Sequence, residues 1–190
     1  VNSELFQHIN YEKAYRKNRL KAAHWVLEHP ENLEELLQFC FHDDTKLATK
    51  ATWVLEFVCR EDLICILPYL DFFFENLPDA KSDGQLRSFA LICELLTIGY
   101  YEKAFETYQN VFLPRHKEIM TECCFDWMIT NQKVACQARA MTALYYLGTE
   151  TDWIHPELAT IIQQNLPQGS AGYKSRGKKT LELIVELKNK

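Results

Sequence analysis

A short pattern occurs twice in this chain. Ala23-His24-Trp25-Val26-Leu27-Glu28 and Ala51-Thr52-Trp53-Val54-Leu55-Glu56 share the frame A-x-W-V-L-E, 28 residues apart. Looser copies follow at Arg87–Glu94, Arg139–Tyr145 and Arg176–Glu182. Pro68 and Pro156 each precede x-Leu at an offset of 88, close to the 89 between Ala51 and Ala140. Self-similarity at such periods is the mark of stacked supersecondary units, each with an apolar face too wide to bury alone.

The spacing inside the unit is helical. A small residue (Ala23, Ala51, Ala140, Gly177) lets two helices approach, and a Leu four residues on (Leu27, Leu55, Leu144, Leu181) fills the core one turn later. Composition agrees. Hydrophobic residues make up 47%, enough for a sizeable core. Glycine numbers only 6 in 190 residues, less than half its usual share of about 7%. A strand-and-turn fold would need more turn residues.

About ten helices with short connections are expected, with no strand. The chain is expected to form one domain over 1–190. Ser3, the Asp43-Asp44 pair and Ser170 read as N-caps. A helix is expected over 12–28. Pro30 opens the next one. Pro68 marks a turn or kink, and 78–84 is a loop before a helix at 85–98. Gly99 reads as a stop, followed by a helix at 101–110. Gly148 reads as a C′ residue.

Here a resemblance enters. Leu47-x-x-x-Ala51-x-x-x-Leu55, preceded by Asp43-Asp44, resembles the second helix of a HEAT repeat, and Tyr173-Lys174-x-x-Gly177-x-x-x-Leu181 fits the same frame. Glu28, Glu56 and Glu94 stand where that family often has Gly. The resemblance implies an all-α, HEAT-like (armadillo-type) right-handed α-α superhelix of about five helical hairpins. It also implies a scaffold that binds a protein or peptide partner on a concave face lined by the second helices.

Candidate partner-binding residues fall in two rows. Lys21, Lys50, Arg87 and Arg139 recur at or next to one position, and Glu28, Glu56 and Glu94 recur about two turns on. His24, Trp25, Trp53, Lys174 and Arg176 complete the set. The rows read either as ion-pair ladders between repeats or as a polar strip that reads a peptide. The four tryptophans and the basic positions also resemble the grip of the DNA alkylation-repeat glycosylases, with Asp126 and Asp152 as the nearest acids. A nucleic-acid or glycosylase role is therefore the alternative. Net charge is −5, and an acidic body opposes phosphate binding. The ends differ from the body: 12–24 holds five Lys/Arg against Glu12, and 170–190 holds six against Glu182 and Glu186.

Other chemistry is absent from the sequence. The seven cysteines lack metal-ligand spacing and most sit in apolar runs, as reduced thiols would in a cytoplasmic protein. The six histidines show no ligand pairing. Gly169–Ser175 loosely resembles the serine loop of the fumarase and adenylosuccinate-lyase superfamily, but its Met-Pro and Asn are missing, and a cap at Ser170 is simpler. No enzymatic role, cofactor, metal, leader or membrane span is expected.

Overall fold

The protein is described by a computed structural model covering residues 3–103 and 105–189, without the side chain at 105. All regular structure among those residues is helical. The chain divides into two compact units, Val1–Leu95 and Leu96–Lys190.

The first unit contains α1 (Glu4–Ile9), α2 (Arg16–Glu28), α3 (Leu33–Cys40), α4 (Thr45–Glu61) and α5 (Leu70–Asn76). α6 (Asp83–Ile98) begins there and crosses the division. α4 packs on α2 and α3, and α1 lies against α2 and α4. Ala23 and Ala51 are wholly buried, as their role in close helix contact requires. Leu36, Leu37, Val54, Leu55, Phe73, Phe74 and Phe89 form the core around them. Phe89 meets Phe73 edge-on at 5.5 Å and stacks on Phe41 at 5.1 Å.

The second unit contains α7 (Phe105–Tyr108), α8 (Pro114–Ile129), α9 (Val134–Leu147), α10 (Ile154–Asn165) and α11 (Ala171–Lys188). α9 is central and packs on α8, α10 and α11. Ala140, Leu144, Met141, Leu158 and Ile162 are buried there. A Cβ on Gly177 would stand 2.9 Å from Ile162 Cγ2, so the small residue is a packing requirement. Leu27 and Leu181, in the first and last copies of the frame, are only half-buried, because fewer neighbours flank those copies.

The caps follow their side chains. Ser3 Oγ accepts from Phe6 N–H at 3.2 Å, Asp44 Oδ1 from Lys46 N–H at 2.9 Å, and Ser170 Oγ from Tyr173 N–H at 3.2 Å. Those hydrogen bonds satisfy amides that have no carbonyl partner within the helix.

Several boundaries differ from expectation. α2 starts at Arg16, four residues later than 12. Pro30 opens a 3-10 turn, Pro30–Asn32, and α3 follows it. Pro68 sits in a 3-10 stretch, Ile64–Tyr69, just before α5 starts at Leu70, where its missing N–H breaks no bond inside the α-helix. α6 starts at Asp83, because Ser82 and Gln85 form a reciprocal cap. Ser82 Oγ accepts from Gln85 N–H at 3.2 Å, and Gln85 Oε1 accepts from Ser82 N–H at 2.9 Å.

Gly99 does not stop the chain's winding. It opens a π-turn, Gly99–Lys103, in place of the expected helix start at 101. The Lys117 ammonium lies 3.8 Å from the Tyr100 ring centroid, and the Tyr146 hydroxyl donates to Glu102, which holds the turn. Gly148 caps α9 with φ −68°, so it is not the left-handed residue expected. No described residue has positive φ. A Cβ at Gly148 would overlap the His155 ring, and that close approach is the reason for glycine.

Candidate partner-binding surface

The side-by-side packing of α2 and α4 brings Lys21, His24, Trp25, Glu28, Lys50, Trp53 and Glu56 into one unit. Their environments differ. Trp25 stacks with two imidazoles, His8 at 4.2 Å and His29 at 4.5 Å. His29 Nδ1–H donates to the Trp25 carbonyl at 2.9 Å and fixes the stack. A half-buried tryptophan stacked on two imidazoles is a packing element.

Lys50 is half-buried. Its Nζ donates to Asn10 Oδ1 at 3.2 Å and lies 5.4 Å from the Tyr11 ring centroid. The Tyr11 hydroxyl donates to the Lys50 carbonyl at 3.3 Å. Burial raises the Tyr11 pKa to about 12, against the pull of the Arg19 charge. Lys50 thus pins the segment after α1 onto α4.

Glu56 is 8% exposed. Its Oε1 accepts from Arg60 Nη2 at 2.9 Å and Nε at 3.2 Å, and its Oε2 accepts from Ser88 Oγ at 2.5 Å. It links α4 to α6. Arg87 and Glu94 on α6 are half-buried, and each has interaction partners. In the second unit the Arg176 guanidinium donates to the Thr142 hydroxyl, tying α11 to α9. Arg139 is half-buried and partnered, and Lys174 is half-buried.

Lys21, His24 and Glu28 are exposed on α2. His24 Nε2 and Glu61 Oε1 are 2.8 Å apart, with side chains 56% and 41% exposed. Such a solvated pair contributes little to stability, about 0–1 kcal/mol.

Sequence reasoning missed the residues beside this set. The Arg19 guanidinium lies 5.3 Å from the Trp53 ring and 5.6 Å from Phe57, and Arg16 lies 5.8 Å from Phe57. All are within cation–π range. Neither Arg19 Nε nor Trp53 Nε1 has a hydrogen-bond partner among the described residues. Lys13, Arg16, Lys17 and Lys21 are exposed on the same segment, 13–21. The i, i+4 spacing of Trp53 and Phe57, set against the basic run at 12–24, was the available signal.

Six cysteines are buried and Cys65 is half-buried, all as free thiols. Burial pushes the thiols of Cys40 and Cys123 up to about 12. No group of three His, Cys, Asp or Glu among the described residues could hold a metal ion. No described helix is long and apolar enough to cross a membrane.

Fold and repeat frame together define an all-α protein of packed helical hairpins. A family model described as a HEAT repeat domain matches residues 11–184, and the chain belongs to that family. No curated protein matches it significantly. No solved structure does so either.

Proposed function

We propose that this chain is a non-enzymatic, cytoplasmic scaffold, one HEAT-like domain over 1–190. Its second helices present a concave face to a protein partner, and the partner's segment at that face is acidic. One observation supports this most. Arg16 and Arg19 lie over Phe57 and Trp53, on a segment that also exposes Lys13, Lys17 and Lys21. Guanidinium groups over aromatic rings offer a carboxylate a directed, partly desolvated donor. Lys21, His24 and Glu28 are exposed further along the same helix. Trp25, Lys50 and Glu56 hold the helices that carry it.

The same cations favour nucleic acid as a second reading. Glu12, Glu28 and Glu61 lie exposed in the same unit and would oppose a nearby phosphate and a nearby carboxylate alike, so charge alone does not separate the two readings. Fluorescence anisotropy with two labelled probes separates the readings. The probes are a capped dodecapeptide rich in Glu and Asp, and a 24-base-pair duplex. Saturable peptide binding at about 150 mM salt, lost in Arg16→Ala/Lys17→Ala/Lys21→Ala, is expected. Micromolar duplex binding with a steep salt dependence, and no peptide binding, would favour nucleic acid.

A further inference from the structure

Two aromatic side chains are exposed among the described residues, Tyr15 at 55% and Trp153 at 56%. The charges set around them are of opposite sign.

Tyr15 belongs to the first unit and ends the segment between α1 and α2. Lys13, Arg16 and Lys17, all exposed, are the charged residues within two positions of it. The segment keeps a defined shape. Asn18 Nδ2 donates to the Lys13 carbonyl at 2.8 Å, and the Asn18 N–H donates to the Tyr15 carbonyl at 3.0 Å.

Trp153 belongs to the second unit and lines a cleft of about 350 Å³ between α8 and the α9–α10 connection. Phe125 stacks on its ring at 5.4 Å and holds it. Leu147, Glu118 and Glu122 are also in the lining. So is Lys117, but its Nζ donates to Glu150 at 2.7 Å and its side chain is only 14% exposed. Glu118 and Glu122 are exposed one turn apart on α8, and Asp126 continues the stripe by a further turn. No described residue pairs with Glu118 or Glu122. Like charges at this spacing repel, so the stripe works against the helix that carries it, and a cation seated between the carboxylates would relieve it.

We infer that the segment 13–17 of one copy of this chain docks in the Trp153 cleft of a second copy. The inference rests on the reading of the basic surface as one that takes an acidic protein segment, and it names that segment as the α8 face of another copy. Tyr15 packs on Trp153, while Lys13 and Lys17 meet Glu118 and Glu122. Aromatic anchors ringed by complementary charge are what a specific protein contact needs. A free organic cation would answer the carboxylates but leave Tyr15 in water. A second copy covers both exposed aromatic residues in one contact. The two patches differ, so each copy can give one and receive one.

Sedimentation velocity over a concentration series tests this. The parent should self-associate at about 150 mM salt, and more weakly as salt rises. Lys13→Glu/Lys17→Glu and Glu118→Lys/Glu122→Lys should each run as single chains. An equimolar mixture of the two should associate, because unlike charges meet again. Tyr15→Ala should weaken self-association at least tenfold. All these positions are exposed, so the fold should tolerate the changes. The parent alone gives a further readout. In a mixture of unlabelled and isotope-labelled protein, a carbodiimide should join Lys13 or Lys17 to Glu118 or Glu122 in peptides of mixed label. A parent that stays a single chain while it binds the Glu- and Asp-rich dodecapeptide would overturn this inference and spare the reading it rests on. Self-association that ignores either charge reversal or Tyr15→Ala, variants that stay apart when mixed, or crosslinks found only within one label would each overturn it as well.

Discussion

The Ser88 hydroxyl donates to Glu56 Oε2 at 2.5 Å, joining α6 to α4 through a carboxylate that is 8% exposed. Arg60 holds the other oxygen. Removal of either partner leaves a buried group unsatisfied. Glu56→Ala should destabilise the protein by about 2–3 kcal/mol and Ser88→Ala by about 1–2 kcal/mol. A double-mutant cycle in urea should find a coupling of about 1–2 kcal/mol. Simple additivity would mean that the hydrogen bond contributes nothing.

Ala51 has no exposed surface, and Lys50 beside it is half-buried. Ala51→Asp would place an unpaired charge in a helix contact and should cost about 3 kcal/mol or more. Lys50→Ala gives up one hydrogen bond and one ring contact, and should cost about 1 kcal/mol or less. Equal melting temperatures would reverse the assignment of faces.

Two glycines should respond in opposite ways. A Cβ at Gly148 overlaps His155, whereas at Gly172, in the first turn of α11, the nearest atom is Val134 Cγ2 at 3.4 Å. Gly148→Ala should destabilise by roughly 1–3 kcal/mol. Gly172→Ala should be neutral or stabilise by about 0.4–1 kcal/mol. Thermal melts of the two variants side by side check both.

Asp44 titrates below the usual carboxylate range, chiefly because the amides of Leu47 and Lys46 donate to it. A depressed folded-state pKa makes a contribution that is present above the unfolded value of about 3.9. The contribution is lost as pH falls through the folded value. Asp44→Asn keeps a capping oxygen without the titration. Its melting temperature should fall less steeply than the parent's between pH 5 and pH 3.

The parts of the fold legible in the sequence were local. Ser3, Asp44 and Ser170 cap because their own side chains reach amides two or three residues away. Ala23, Ala51, Ala140 and Gly177 recur because one helix crossing recurs. Gly99 and Gly148 looked like punctuation. Their reasons are the distant rings of Tyr108 and His155, which no neighbouring residue announces. The HEAT resemblance was carried by that local frame, and the family match bears it out.

The candidate surface was less legible. Polar residues at repeat positions suggest a solvent-facing strip, but Lys50 and Glu56 meet Asn10 and Ser88 from other elements. Arg16 and Arg19 lay outside the repeat frame, and only the packing of α2 on α4 sets them over Phe57 and Trp53.

The central claim is that the basic, aromatic surface on α2 and α4 engages a protein. Photo-crosslinking in cells tests it most directly, with benzoylphenylalanine placed at Lys17 or Lys21 and, as a control, at Glu157 on α10. All three positions are exposed, so the probe should not disturb the fold. A discrete protein adduct from Lys17 and Lys21, absent from Glu157 and lost when Arg16 is replaced by Ala, is the predicted result. A nucleic-acid adduct at Lys17 and Lys21, or the same adducts from all three positions, would contradict it.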